Sequence, residues 1–357
     1  MEQYNFHKHF QLNGNSFSSV DEILRYTYEF SDELHFFLKD WFSNTNFISV
    51  NTSGSTGKPK PIQLKKEFVI NSAMATGNYF NLQENISALL CLPIAYIAGK
   101  MMLIRALTLG WQLDIVTPTS FPLEKIKKHY DFSAMIPLQL EKSIPKMDFI
   151  KKIIVGGGVV SKELEIKIQN IPTEIFATYG MTETITHIAV KKLNNKLISP
   201  TFYEVLPNIS IYKDERNCLV IEAPKITEEI IFTNDVVKLI SDTQFEWLGR
   251  FDNVINSGGI KLHPEKIEEK LSEIIQERFF VAGVSDTVLG EKLVLVIELE
   301  PLKGKKLKNL VEEKINNLPS LSKFEIPKEI YFVSKFIETA TKKIHRKKTI
   351  MTIRNKN

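Results

Sequence analysis

Apolar positions along this chain follow two rhythms that take turns. Short apolar runs at residues 47–50, 88–92, 113–116, 133–136, 152–155 and 174–177 are bounded by turn residues. Between them, residues 65–80, 99–109 and 162–169 carry apolar side chains at helical spacing. Such short apolar runs predict buried strands, and strands alternating with helices predict an α/β fold with a mostly parallel sheet. Upstream, an aromatic-rich stretch ending at Trp41 opens with Ser19 three residues before Glu22, a capping-box spacing that predicts helical structure.

The rhythm changes twice further on. From residue 197 to 248 it breaks into short strands with turn residues, at 210–212, 218–221 and 236–240, which predicts a small β-rich subdomain. Beyond Leu248, Pro264 opens a predicted helix over 265–277 with Ile267, Leu271, Ile274 and Ile275 on one face. Strands at 279–284 and 293–299, a helix near 308–317 and a strand at 329–333 complete a compact α+β module. The expected fold class is therefore α/β: a large N-terminal α/β domain with a β-rich subdomain over 1–249, and a small α+β C-terminal domain over 250–357.

Composition narrows the class. Of 357 residues, 43% are hydrophobic, 25% charged and 10% aromatic, the balance of a globular protein and not of a disordered or fibrous one. A net charge of +4 is too small and too dispersed to point to nucleic acid. The basic run over 342–348, read alone, is a solvated tail. Met1 opens no basic and apolar leader, and the most apolar segment, 86–99, is broken by Pro93 and too short to span a bilayer. Cys91 and Cys218 lie in apolar, strand-like surroundings and read as unpaired core residues of a reducing compartment. The expectation is a cytoplasmic protein with small-molecule partners, no nucleic acid and no membrane span, with a homo-oligomer left open.

The chemistry concentrates first in Asn51-Thr-Ser-Gly-Ser-Thr-Gly-Lys-Pro-Lys60. Gly54 and Gly57 let backbone N–H groups approach an anion, Thr52, Ser53, Ser55 and Thr56 add hydroxyl donors, and Lys58 and Lys60 add positive charge. Such a loop suits a polyphosphate, although a solvated Ser/Gly turn has the same composition. It is not a Walker A loop, because Gly54 stands too close to Gly57-Lys58 and Pro59 replaces the Ser or Thr that would hold magnesium. A second glycine turn, Gly156-Gly-Gly158, sits between a predicted strand and a helix starting at Ser161, a geometry through which a ligand can approach.

The loop closely resembles the phosphate loop of the adenylate-forming acyl-CoA synthetase superfamily, and further segments match that family in order. Thr178-Tyr-Gly-Met-Thr-Glu183 resembles its adenine and magnesium segment. The resemblance implies Thr178, Tyr179 and Gly157 around the nucleotide, with Tyr179 stacking near the adenine, Thr182 on phosphate and Glu183 on Mg2+. Thr233-Asn-Asp235 resembles the Thr-Gly-Asp whose Asp accepts from the ribose hydroxyls, with Asn234 departing from Gly. Gly249-Arg-Phe-Asp252 resembles the segment before a mobile C-terminal domain, implying Arg250 on the ribose and Asp252 as hinge. Residues 257–268 resemble the loop that swings in for thioester formation, implying that Gly258 and Gly259 make room for CoA. Residues 339–346 resemble the segment of the catalytic lysine, which falls on Lys343, with Lys342 where Gly is usual. The family also carries a longer segment before its phosphate loop than the fifty residues found here, so a shortened first subdomain is expected.

These matches imply an ATP-dependent acid–CoA ligase with Mg2+, and with ATP and CoA as co-substrates. Leu92-Pro-Ile-Ala-Tyr-Ile-Ala-Gly99 resembles the acyl-pocket segment, with Tyr96 in place of His. Gly156-Gly-Gly158 and residues 179–189 are most similar to the branch that ligates o-succinylbenzoate in menaquinone synthesis. That acid has a second carboxylate, and Arg105 falls where the branch has a basic residue; the alternative is an Arg whose stem packs while its head reaches solvent. Gly158 and His187 complete the implied acid pocket. His187 lines it and is not a base, since an ionised carboxylate is already the nucleophile. The competing readings are a ligase for another acid and, in a different class, a non-catalytic nucleotide-binding relic.

Overall fold

The first-half strands are apolar on both sides because both of their faces are covered. In the computed structural model, which describes residues 6–51, 61–195, 202–338 and 344–354, Ala88 and Leu90 of the strand Ser87–Leu90 point into one apolar cluster. Leu89, together with Cys91 just beyond the strand, points into another. Successive side chains of a strand face opposite ways, so this alternation is what a sheet between two layers requires.

One sheet of thirteen strands runs through the first 250 residues. Gln11–Leu12, Gln112–Ile115, Ser87–Leu90, Tyr130–Met135, Ile150–Val155 and Glu174–Gly180 lie side by side and parallel. The strand order reverses at Ser87–Leu90: the chain first steps to Gln112–Ile115 on one side, then to Tyr130–Met135 on the other. In an open α/β sheet the carboxyl ends of strands beside such a reversal border the ligand crevice. The β-rich stretch continues this sheet. His187–Lys192 pairs antiparallel with Glu174–Gly180, and Tyr203–Val205, Gln244–Arg250, Ile231–Leu239, Cys218–Glu222 and Ser210–Lys213 follow, all antiparallel.

A second sheet is built around Gly290–Glu298, antiparallel to Phe279–Asp286 and parallel to Glu329–Val333, with the hairpin Ile255–Ser257/Ile260–Leu262 at its edge. Ile267, Leu271, Leu295 and Ile315 pack on one of its faces, and Phe280, Val294, Val296 and Phe336 on the other. These clusters draw on residues from 255 onward, whereas those of the large sheet draw on residues up to 245. Arg346 pairs through both terminal nitrogens with Glu268, at 2.7 and 2.9 Å, and ties the C-terminal helix Arg346–Arg354 to this unit.

Several local expectations shift. The aromatic stretch is two helices, Val20–Phe30 and Asp32–Trp41, because Ser31 ends the first and caps the second. Ser19 caps the first helix through the Glu22 N–H, but the Glu22 carboxylate accepts from Ser18 and not from Ser19. The helix opened by Pro264 ends at Leu271 and not at 277. The strand Glu174–Gly180 runs three residues past its apolar core and so carries Thr178 and Tyr179 within it. Lys66 is fully buried, and its Nζ donates to Asp40 O in the last turn of Asp32–Trp41 and to Ser43 O just beyond it, where a cation satisfies terminal carbonyls. Cys91 and Cys218 are free and buried, as expected. Among the described residues no helix is long and apolar enough to cross a membrane.

Gly99, near the start of the helix Ile97–Leu109, lies so close to Pro93 that an added Cβ would overlap the Pro93 carbonyl. Gly99→Ala is expected to destabilise the protein by about 1–3 kcal/mol, the scale of overpacking a tight contact. The urea midpoint measures it, and an unchanged midpoint would mean that the turn relaxes freely.

Candidate active site

The carboxyl ends of the parallel strands carry many of the residues singled out in the sequence. Ile150–Val155 runs into Gly156–Gly158, and Thr178 on the neighbouring strand donates its hydroxyl to Val155 O at 3.0 Å. A Cβ on Gly156 would stand 2.7 Å from Thr178 Oγ1, so glycine is what allows this approach. Gly157 has φ of +77°, in the left-handed region that favours glycine, and Gly158 is exposed beside Pro137.

After Gly180 the chain doubles back through the short 3-10 turn Thr182–Thr184, on which Glu183 is exposed and Thr182 half-buried. Ile185 then takes φ +66° and ψ −59°, and the Thr186 N–H donates to Thr184 O at 2.6 Å. This is a γ-turn with positive φ, a strained conformation for a β-branched residue. The side chain of Ile185 is buried, so packing holds the turn. It separates neighbouring residues, with Glu183 facing solvent and Thr186 and His187 turned inward.

Asp235 gathers the nucleotide candidates. It is buried, on the strand Ile231–Leu239. Tyr179 Oη donates to its Oδ2 at 2.7 Å and Trp247 Nε1 to its Oδ1 at 3.1 Å. Arg250 pairs opposite Asp235 in the sheet register, with Nη1 3.8 Å from Oδ1, and its Nη2 meets Asp252 at 3.0 Å. Burial first, and the Asp235 charge second, push the Tyr179 phenol well above its ordinary value, so it stays a donor. Tyr179 also packs edge-on against Phe245, with ring centroids 5.1 Å apart. Trp247 went unnoticed in the sequence. The available signal was its place in the pattern Phe245, Trp247, Gly249, one face of a strand beside Asp235.

Arg105 forms the third group, and here the solvent-seeking alternative fails. Its side chain is 1% exposed. Nε donates to Thr76 Oγ1 at 3.2 Å and Nη2 to Thr186 Oγ1 at 3.3 Å, and among the described residues no carboxylate pairs with it. Two neutral acceptors leave most of a guanidinium's five donors unanswered. Burial alone pushes its pKa down to about 9. The Nε2 atom of His187 is buried without a partner among the described residues. Burial, then the charge of Arg105, hold His187 well below its ordinary pKa, so it is neutral at pH 7. The two side chains place a positive charge and a neutral imidazole among buried apolar residues.

The remaining candidates lie apart. Tyr96, at the N-cap of Ile97–Leu109, is exposed and stands nine positions before Arg105, about 13 Å along a helix. Gly258 and Gly259, both at positive φ, form the exposed two-residue turn of the hairpin Ile255–Ser257/Ile260–Leu262. Asp252 lies in the 3-10 turn Phe251–Asn253 between the two sheets. Thr52, Ser53, Gly54, Ser55, Thr56, Gly57 and Lys58, and also Lys343, lie outside the described residues. The strands Phe47–Asn51 and Pro61–Lys65, which flank the former, pair antiparallel with Asn51 opposite Pro61. For Mg2+, Glu183 offers an exposed carboxylate with no ion pair among the described residues. One such carboxylate plus substrate phosphates is a donor set the ion accepts.

Comparison with known proteins gives the same direction throughout. The AMP-binding enzyme family profile matches residues 49–217. A crystal structure of an acyl-CoA synthetase (AMP-forming)/AMP-acid ligase II-like protein from Dyadobacter fermentans is 36% identical, aligned over 90% of this chain and 93% of that one, with a TM-score of 0.60. A 2-succinylbenzoate–CoA ligase of a Geobacillus species is 25% identical over 336 residues, which make up 83% of this chain and 66% of the relative. The chain thus spans about two thirds of that relative's length. The fold is also that of o-succinylbenzoate CoA synthetase from Bacillus subtilis in complex with its acyl-adenylate intermediate, at 20% identity and a TM-score of 0.69, over 84% of this chain and 68% of that one.

A buried cation with no anionic partner among the described residues is a cost to the fold. The folded-state pKa of Arg105 lies below its unfolded value of 12.5, so stability is forfeited at all lower pH and most fully below about 9. Arg105→Met is therefore expected to leave stability unchanged or raise it by up to about 4 kcal/mol. Thermal unfolding at pH 7 measures this, and a loss of several kcal/mol would reveal an anionic partner within the chain.

Proposed function

This chain belongs to the AMP-binding enzyme family, and from that premise we propose that it is an AMP-forming acid–CoA ligase whose acid carries two carboxylates, with o-succinylbenzoate the acid that fits. The observation that carries the substrate assignment is the Arg105 guanidinium, buried without a carboxylate among the described residues and facing Thr186 and His187. A second carboxylate, desolvated on binding, would supply the missing partner through two parallel hydrogen bonds. His187, being neutral, would offer that carboxylate a hydrogen bond from its Nε2.

The proposed reaction has two steps. An oxygen of the first carboxylate attacks the α-phosphorus of ATP, the bond to pyrophosphate breaks, and an acyl-adenylate remains. Residues 52–58 would cradle the β- and γ-phosphates, with Thr182 on phosphate and the glycines at 156–158 leaving space along the nucleotide and acid. Glu183 would hold Mg2+, which supplies charge neutralisation on the phosphates when bound. Asp235 would accept from the ribose hydroxyls, oriented by Tyr179 and Trp247, with Arg250 beside it. Lys343 would stabilise the charge that builds on the α-phosphate and acid oxygens.

In the second step the CoA sulfur attacks the acyl carbonyl, and AMP leaves with the electron pair of the mixed anhydride. We assign residues 1–249 to ATP and acid, and 250–357 to a unit that turns about Asp252 between steps. Separate apolar clusters on either side of that point support the division. The turn would withdraw Lys343 and bring in the Gly258-Gly259 loop, whose lack of side chains leaves room for the pantetheine arm.

The test uses two acids. Arg105→Ala is expected to lower kcat/KM for o-succinylbenzoate by about 2–5 kcal/mol, mostly the penalty of leaving a carboxylate unpaired. An analogue lacking the ring carboxylate should lose far less, and the affinity for ATP should not change. Equal losses on the two acids would make Arg105 a packing residue and end the case for a dicarboxylate.

A further inference from the structure

A cavity of about 280 Å3 lies between the antiparallel part of the large sheet and the hairpin that starts the small one. Lys213, Arg216, Lys238, Lys261 and His263 line it, and no acidic residue is among its described lining. Its apolar floor includes Val236, Leu248 and Phe251. Not all of this charge is free. Arg216 is held by Asp214, with Nη2 to Oδ2 at 2.7 Å and Nε to Oδ2 at 2.8 Å, and its guanidinium lies 5.3 Å from the Phe251 ring. Lys213 donates to a neutral acceptor, Asn217 Oδ1, at 3.1 Å. Lys238 and Lys261 have no hydrogen-bond or ion-pair partner among the described residues, and His263 Nδ1 is buried without one.

Three lysines around a shared concavity repel one another unless a counter-charge enters, and the low-dielectric floor strengthens that demand. We propose that this cavity binds a phosphate monoester carrying a flat apolar group. The phosphate meets Lys213, Lys238 and Lys261, and the apolar group lies on Val236, Leu248 and Phe251. Inorganic phosphate would satisfy the lysines and leave the floor uncovered, so the ester binds more tightly. The site is distinct from the proposed ATP pocket, since none of Thr178, Tyr179, Asp235 and Arg250 lines it. Lys213 and Lys238 belong to the large sheet, and Lys261 to the strand Ile260–Leu262 of the small one, so a bound ester ties the two together.

Calorimetric titration of the full chain with phenyl phosphate and with inorganic phosphate tests this, using wild type, the Lys238→Ala/Lys261→Ala double variant and the corresponding double Arg variant. Both lysines are exposed, so the fold is spared. The expected result is saturable binding of phenyl phosphate, tighter than that of inorganic phosphate, weakened by about tenfold or more in the Ala variant and retained in the Arg variant. Affinity for ATP should be equal in all three proteins. Phenyl phosphate binding that survives the Ala substitutions, is absent up to about 10 mM, or is no tighter than that of inorganic phosphate overturns the proposal. A parallel fall in ATP affinity would merge the cavity with the ATP pocket and overturn the claim of a distinct site.

Discussion

A guanidinium sealed into an apolar helix, with no carboxylate partner among the described residues, is the constraint on which the packing between Thr76 and Thr186 depends. Arg105 sits at 1% exposure on the helix Ile97–Leu109, among residues that are almost all buried. Its two hydrogen bonds reach Thr76 on one neighbouring segment and Thr186 on the other. The second contact depends on the γ-turn at Ile185, which turns Thr186 inward while leaving Glu183 outside. A strained turn and a buried charge are each unfavourable alone. Their meeting at one point marks a candidate functional site.

The surroundings of Asp235 have the opposite character. Asp235 is buried but amply answered, by a phenol, an indole and a nearby guanidinium. Its geometry is set by the β-rich stretch continuing the parallel sheet without a break, so that Tyr179 on a parallel strand and Asp235 on an antiparallel one meet. Had those strands formed a detached sheet, nothing would bring the two side chains to 2.7 Å. Arg105 thus keeps donors without a partner among the described residues, whereas Asp235 has its partners in place.

The sequence made some of this visible and hid the rest for physical reasons. Apolar runs such as 88–92 and 152–155 announced buried strands, because burial on both faces leaves no room for polar positions. Gly156 and Gly157 were readable as a turn, although only the structure supplies the reason, one a close approach to Thr178 and the other a positive φ. Ser31 as a breaker between two helices was missed, since the capping role of a serine is decided by backbone geometry that composition does not carry. The fate of Arg105 was also hidden. Whether a cation in an apolar helix reaches solvent depends on what packs over it, and Thr76 and Thr186 come from residues 29 and 81 positions away. The partner of the Tyr179 hydroxyl was hidden as well, since it is Asp235, 56 residues on, which periodicity could not pair with it.

The central claim is that this chain activates a dicarboxylic acid by adenylation, with Lys343 serving the first step alone. The most direct measurement is pyrophosphate release from ATP with o-succinylbenzoate and a panel of other acids, made on wild type and on Lys343→Ala. The account predicts release that depends on o-succinylbenzoate and falls by roughly 10²–10³-fold in the variant, while both proteins convert the preformed acyl-adenylate to its CoA thioester at similar rates. Release without any preference among the acids, no release at all, or an equal loss in both half-reactions would contradict it.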